Sequence, residues 1–522
     1  MITICLSEAN FEYDIHSLVK AFYVGEEVKV SADREKIRVL EQECMPLFHM
    51  EICYCRHDQL RLSDRAEKIQ SDAIELVLYH SSKYSGQTYE DGGYLEEVRT
   101  AVAVNFSDRL ETKNRLKQCL YQMLSDYTGQ KLPWGTLTGI RPVKIPMSML
   151  EQEKGELEIK TYMSDTYFAS QPKIDLSIEI AKRELELLKQ IDYRQGYSLY
   201  VGIPFCPSIC SYCSFSSSPI GIWEGKVDAY LDALEREIDF TAQSCRDRKL
   251  NTIYIGGGTP TTLSPEQLER LLVKLENSFD FSNLLEYTVE AGRPDSITRD
   301  KLEVLRSHGI TRISINPQTM NQATLDLIGR RHTVEQTIES YQLARELGFD
   351  NINMDLIVGL PGEKLGDVKN TMEQIKVLAP DNLTIHSLAI KRAARLRMFP
   401  EDYQGMEMEN SWETIEMTAR YARELGLVPY YLYRQKNMAG NFENVGYARQ
   451  GKAGLYNILI MEEKQSILAL GAGASSKYVL KDLETGNIRV ERTENVKDIT
   501  HYLERIDEMI ERKRQGIRCY MQ

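Results

Sequence analysis

A chain of 522 residues exceeds the size at which one hydrophobic core usually stops growing, which excludes a single small module and favours two or three domains. Its 42% hydrophobic and 27% charged residues sit near the globular average and exclude fibrous, low-complexity and wholly disordered classes. With 77 acidic against 64 basic side chains the net charge is -13, so no nucleic-acid partner is expected. No apolar run reaches the roughly 18 residues of a spanning helix, and the start MITICLSEANFEYD has no basic segment leading into an apolar one. The expected location is cytoplasmic, with no membrane partner. There the 10 cysteines read as thiols, metal ligands or redox sites ahead of disulfides.

Residues 1–165 read as an N-terminal α+β accessory domain, with an alternating strand at 97–104 (EVRTAVAV) and a helical pattern over 108–127. The Gly/Pro-rich passage 131–146, KLPWGTLTGIRPVKIP, is an ordered loop around Trp134 and Arg141. It reads either as a packed connector or as a flap over a neighbouring site. Residues 175–395 then alternate short β-branched runs with long amphipathic helices. Strands are expected at 199–203, 252–255, 286–290, 311–315, 351–358 and 383–388, and helices at 226–240, 265–277 and 334–347. Six βα units imply an α/β fold with a parallel sheet curled into a partial barrel, its chemistry at the strands' carboxyl ends. Residues 396–522 form a C-terminal α+β extension, with helices at 409–425 and 498–514 around a loop and strand section. The charged run ERKRQ at 511–515 reads as a solvated helix end.

The strongest chemical signal is YVGIPFCPSICSYC, in which Cys206, Cys210 and Cys213 follow the first barrel strand as CxxxCxxC. Thiolates on a loop at a strand's carboxyl end suit a soft metal centre, and cysteine sulfur is the preferred ligand of iron-sulfur clusters. Three ligands leave one iron of a four-iron cube free for substrate or cofactor. A structural zinc site would want a fourth ligand, and after Cys213 no Cys or His appears before Cys245. Cys5, Cys44, Cys53, Cys55, Cys119, Cys245 and Cys519 are scattered and read as buried free thiols.

This cysteine spacing resembles the radical S-adenosylmethionine (radical SAM) superfamily. That resemblance implies a [4Fe-4S] cluster whose open iron chelates SAM and, on one-electron reduction, cleaves it to a 5'-deoxyadenosyl radical. Within the superfamily, Gly256-Gly-Gly-Thr-Pro260 resembles the GGGTP motif of oxygen-independent coproporphyrinogen III oxidases, HemN-like proteins. Glu290 in TVEAGRPD occupies the position of the family's ribose-binding carboxylate. The resemblance implies that Tyr200, Gly257 and Glu290 bind the first SAM. It also implies a second SAM held by Tyr212, Gly258, Thr259, Gln318 in INPQTMN, Arg330 in IGRRHT, Asp355 in NMDLIVG and Ala389 in HSLAIKR. By the residues alone, Asp355 could instead pair inside the barrel and Arg330 could be a surface charge.

The chain most resembles the HemZ type of bacterial coproporphyrinogen dehydrogenase, with two departures. Gly202 stands where the first motif commonly has His, and Phe215 where the best-known oxidases place a fourth cysteine. The implied reaction is oxidative decarboxylation of coproporphyrinogen III, or a related porphyrinogen, to protoporphyrinogen IX, with a flavodoxin- or ferredoxin-like electron donor. A substrate with four carboxylates wants cations, and Lys391, Arg392 and Arg395 are the best placed, though they also fit a solvated basic helix start. A HemW-like haem chaperone and a radical SAM methyltransferase are the alternatives. The cysteines followed by Phe215 favour the chaperone. Both alternatives tend to carry a C-terminal His-Asn and Tyr-Trp signature, which is missing from YRQKNMAGNF here, where no histidine occurs between His386 and His501.

Overall fold

The computed structural model describes residues 1–521 except 57–70, 82–93, 140, 194, 392, 393, 404, 407, 409, 436, 437, 439–441 and 482–487. The chain divides into two compact units, 1–178 with 435–442, and 179–434 with 443–522.

The N-terminal unit holds a five-stranded sheet in the order Val28–Ser31, Ile2–Leu6, Phe48–Cys55, Ala73–Ser81, Tyr94–Ala103. The first three strands pair in parallel and the last two join antiparallel. Helices Glu12–Phe22 and Arg109–Thr128 supply the rest of its core, the latter capped by Asp108, whose carboxylate accepts from the N–H groups of Leu110 and Glu111. In the 131–146 passage, Trp134 is 0% exposed, Ser170 N donates to Pro133 O and Thr136 N to Tyr167 O, so this stretch packs as a connector. It passes into helix Lys144–Glu151.

The second unit is built on an eleven-stranded sheet. The six strands expected from the sequence lie side by side in chain order, Gly196–Ile203, Lys249–Gly257, Glu286–Glu290, Arg312–Ser314, Ile352–Val358 and Asn382–Ser387, and every neighbouring pair is parallel. Helices cover such a sheet on its outer side, so the strands read as nearly unbroken buried runs: seven of the eight residues of Gly196–Ile203 are buried. Capping boxes at Ser264/Gln267 and Thr333/Gln336 start the intervening helices.

The C-terminal residues do not stand apart from this sheet. Ile467–Leu470 adds in parallel beside the first barrel strand, and Asn444–Ala448 adds antiparallel beside the sixth. The expected single helix at 498–514 is two, Ile499–Glu504 and Ile506–Tyr520, interrupted at Arg505. The charged run lies inside the second of these helices, with Glu511, Arg514 and Gln515 exposed as expected and Lys513 the exception. Helical spacing from Ile506 and Met509 carries Lys513 to the inner face, where it is 2% exposed and its Nζ lies 3.4 Å from Glu237 Oε1 and donates to Ala469 O at 2.6 Å. Of the scattered cysteines, Cys5 and Cys245 are buried, Cys53, Cys55 and Cys119 half-buried, and Cys44 and Cys519 exposed.

Candidate active site at the carboxyl ends of the barrel strands

The first barrel strand runs directly into the cysteine loop. Phe205–Cys206 pairs with Ser218–Pro219, which closes the loop on itself. Neighbouring connections pin it: Ser211 N donates to Ile328 O at 2.9 Å, Ser208 Oγ to Gly329 O at 3.1 Å, and Leu396 N to Ser211 O at 3.0 Å. Cys210 is buried, and Cys206 and Cys213 are half-buried. Burial pushes the Cys206 and Cys213 thiols up; hydroxyl and backbone hydrogen bonds pull them back, and a charge on Cys210 raises both. The three sulfurs therefore share one electrostatic environment. Among the described residues no three His, Cys, Asp or Glu side chains form a site for a single metal ion. Thiolates serving a four-iron cube each meet a different iron, so they need not converge on one point.

The second strand delivers the glycine run against this loop. Gly258 N donates to Ile203 O and Thr259 N to Phe205 O, both at 2.7 Å, and Thr259 Oγ1 lies 3.5 Å from Cys206 Sγ. A Cβ on Gly258 would stand 2.4 Å from Phe205 O, and Gly257 has φ +108°, so both positions require glycine. Tyr200 stacks with Tyr254 and Tyr456, at ring separations of 6.2 and 6.4 Å. Tyr254 Oη donates to Glu290, the last residue of the third strand. Burial pushes the Glu290 carboxyl up to about 7, against the pull of Tyr254. Tyr200, Gly257 and Glu290 are thus gathered beside the cysteine loop.

The later connections contribute the second set. Gln318 sits in the left-handed region at φ +69°, a backbone strain of order 1–3 kcal/mol for a non-glycine residue. Gln318 N donates to Asp355 O at 2.9 Å, and its buried Oε1 has no partner. Arg330 is 3% exposed and so is no surface charge. It donates to Tyr212 Oη at 3.0 Å and to the carbonyls of Gly292 and Asn316 at 2.8 and 2.7 Å, while its buried Nε is left over. Burial pushes the Asp355 carboxyl up, yet His386 and Asn353 hold it below the usual range. Asn353 Nδ2 donates to Oδ1 at 2.7 Å, and His386 Nε2 lies 3.8 Å from Oδ2. Tyr433 Oη stands 3.2 Å from His386 Nδ1. Ala389 follows the sixth strand, half-buried.

Two of the three basic candidates are exposed. Lys391 Nζ stands 5.9 Å from the Phe215 ring centre, and the Arg395 guanidinium 5.5 Å from that of Phe399. Arg392 lies outside the described residues. Phe215 is 72% exposed. At Gly202, a Cβ would stand 3.1 Å from Leu470 O, so the added strand fits closely against the position where a His is commonly found. Sequence reasoning missed Arg293, Asp295, Asn316, His386 and Tyr433. Arg293 was visible in TVEAGRPD as a cation near the carboxylate, but only the fold places it beside Cys210.

The family description of the radical SAM superfamily matches residues 200–375. An oxygen-independent coproporphyrinogen-III oxidase-like protein, HemZ of Bacillus subtilis (strain 168), is 41% identical over 408 residues, which span 77% of this chain and 80% of that protein. The heme chaperone HemW of the same organism is 32% identical over 321 residues, 60% of this chain and 76% of that protein. Among solved structures, coproporphyrinogen III oxidase HemN from Escherichia coli aligns with a TM-score of 0.49 at 24% identity, covering 62% of this chain and 73% of that one.

Proposed function

The chain belongs to the radical SAM superfamily, in the group that holds coproporphyrinogen-III oxidase-like HemZ, and from that premise we propose that it oxidatively decarboxylates two propionates of coproporphyrinogen III to vinyl groups without oxygen. The observation that supports this reading is the meeting, at one end of the ordered sheet, of the cysteine loop, the glycine run, Glu290 and the polar set Gln318, Arg330 and Asp355.

The residues fit the implied groups. Cys206, Cys210 and Cys213 offer three soft thiolates to a four-iron cluster. Tyr200, Gly257 and Glu290 would hold one SAM, the glycine giving the ligand close access to backbone. A second SAM would take the spare hydrogen-bonding capacity of Gln318 Oε1 and Arg330 Nε, with the Asp355 carboxylate available to an ammonium and Tyr212, Gly258, Thr259 and Ala389 around it. When bound, the cluster and SAM supply one-electron reductive cleavage and a hydrogen-abstracting organic radical. Each propionate then loses a hydrogen from its β carbon and its carboxyl as carbon dioxide. One electron enters from a flavodoxin- or ferredoxin-like donor and one leaves to an acceptor. Lys391, Arg392 and Arg395 pair with the remaining carboxylates. Residues 1–165 supply none of these groups and serve as an accessory unit.

The test is anaerobic incubation of reconstituted protein with SAM, reductant and coproporphyrinogen III. The expected product has lost two carbon dioxide molecules, with 5'-deoxyadenosine formed in step. The exposed Phe215 beside Lys391 favours a second reading, a haem-binding chaperone. Tight haem binding with SAM cleavage but no decarboxylation would select it, and a methylated product would select a methyltransferase.

A further inference from the structure

Arg293 lies three residues beyond Glu290 and has no part in the assignment above. Its side chain is 4% exposed, and a guanidinium so far out of water costs several kcal/mol unless its hydrogens are matched. All five N–H groups have acceptors. Nε and Nη2 donate to the two carboxylate oxygens of Asp295 at 2.9 and 2.7 Å, which fixes the plane of the fork. Nη2 also donates to Ser208 Oγ at 3.1 Å, and Nη1 to Ser208 O at 3.3 Å. The remaining hydrogen goes to Cys210 Sγ at 3.4 Å. Cys206 Sγ, by contrast, has the neutral hydroxyl of Thr259 at 3.5 Å.

Arg330, also buried, spends its Nη groups on the Tyr212 hydroxyl and the carbonyls of Gly292 and Asn316. Arg293 has in addition one bond to sulfur, and Ser208, which takes two of its other bonds, lies between the first two cysteines of the motif. The Asp295 fork cancels much of the net charge at a distance but leaves the positive end of the pair facing the sulfur. A hydrogen bond there draws electron density from the thiolate, which favours the reduced state of whatever iron it ligates.

We propose that Arg293, held by Asp295, is a positioning residue for the iron-sulfur cluster: through its hydrogen bond to the Cys210 thiolate it raises the cluster's reduction potential. The proposal rests on Cys210 being a cluster ligand, as assigned above. Its consequence is that a weaker reductant suffices to load the electron on which SAM cleavage depends.

The experiment compares full-length wild type, Arg293→Met and Arg293→Lys after anaerobic reconstitution, by iron analysis and a potentiometric titration followed by EPR. Wild type and Arg293→Met should each hold about four irons. At the solution potential that half-reduces wild type, Arg293→Met should show a reduced-to-oxidised ratio about ten-fold lower, a fall of about 59 mV for a one-electron couple, with Arg293→Lys between the two. An unchanged midpoint in iron-replete Arg293→Met overturns the proposal. A second measurement needs no variant: in wild type labelled with nitrogen-15 at arginine, pulsed EPR of the reduced cluster should detect an arginine nitrogen coupling. Its absence overturns the proposal even where the variants lose iron. Wild type that binds no iron would instead defeat the cluster assignment itself.

Discussion

The N-terminal unit fills its interior with Ile2, Ile4, Phe48, Met50, Leu76 and Leu120, all 0% exposed, and among the described residues Ser170 Oγ is its one buried side-chain polar atom without a hydrogen-bond partner. The barrel unit buries Arg293, Arg312, Gln318, Arg330 and His332 and leaves Arg312 Nε, Gln318 Oε1, Arg330 Nε and both nitrogens of His332 unmatched. Each unmatched group costs about 1–3 kcal/mol. Of these, Gln318 Oε1 and Arg330 Nε are the two that the proposed second SAM would take up, so the two interiors differ in how much polar capacity they leave for a ligand.

The sharpest way to break this comparison is Cys210→Ala, which should abolish both cluster and SAM cleavage, as should the same change at Cys206 or Cys213. Cys53→Ala, in the N-terminal sheet, should leave the iron content unaltered, and iron analysis separates the two outcomes. Next in size is Phe48→Ala, expected to cost about 3–5 kcal/mol in denaturant unfolding of the N-terminal unit while iron loading stays at the wild-type level. A loss of iron in step with that destabilisation would show that the two interiors do not stand independently.

Asp355→Asn should lower SAM binding from two per chain toward one, by equilibrium dialysis, with the cluster's absorption intact. Lower thermal stability at unchanged stoichiometry would instead make Asp355 a scaffold carboxylate. Two titrations then sharpen the contrast through stability of the cluster-free protein. Burial raises Glu290 to about 7 from an ordinary 4.5, so the folded chain binds the extra proton and this contribution is lost as pH rises through that interval. His332 is held neutral by burial and by Arg330, down to about 3 from 6.5, so the unfolded chain binds more protons and stability is lost as pH falls below about 6.5. Glu290→Gln should therefore gain stability more steeply than wild type between pH 5 and 7, and a curve parallel to wild type would remove Glu290 from this role. The smallest effect is expected at the rim: Lys391→Ala and Arg395→Ala should each raise KM a few-fold with kcat little changed, as for exposed ion pairs worth about 0.2–1 kcal/mol.

Much of the site was legible because its chemistry is local in the chain. CxxxCxxC, GGGTP and the strand-end Glu290 each occupy one βα connection, and period-two runs such as NINMDLIV mark the strands that present them. The parts that were misread depend on depth. Lys513 sits in a charged run that any surface helix would carry, and its burial against Glu237 follows from which face of Ile506–Tyr520 packs inward. The loop around Trp134 reads from the sequence as a connector first and a flap second, and the burial of Trp134 fits the connector.

The sequence by itself determined the alternation of six strands and helices, the three closely spaced cysteines and the glycines needed where backbone comes closest, because each is a property of residue type and spacing over a few positions. Only the tertiary structure decided that Ile467–Leu470 and Asn444–Ala448 extend the barrel sheet on its two sides, that Arg330 is buried and that Arg293 meets Cys210. Those facts arise from contacts between segments far apart in the chain, such as the 83 positions separating Cys210 from Arg293, and the energy of a buried charge is set by the partners that the fold brings to it.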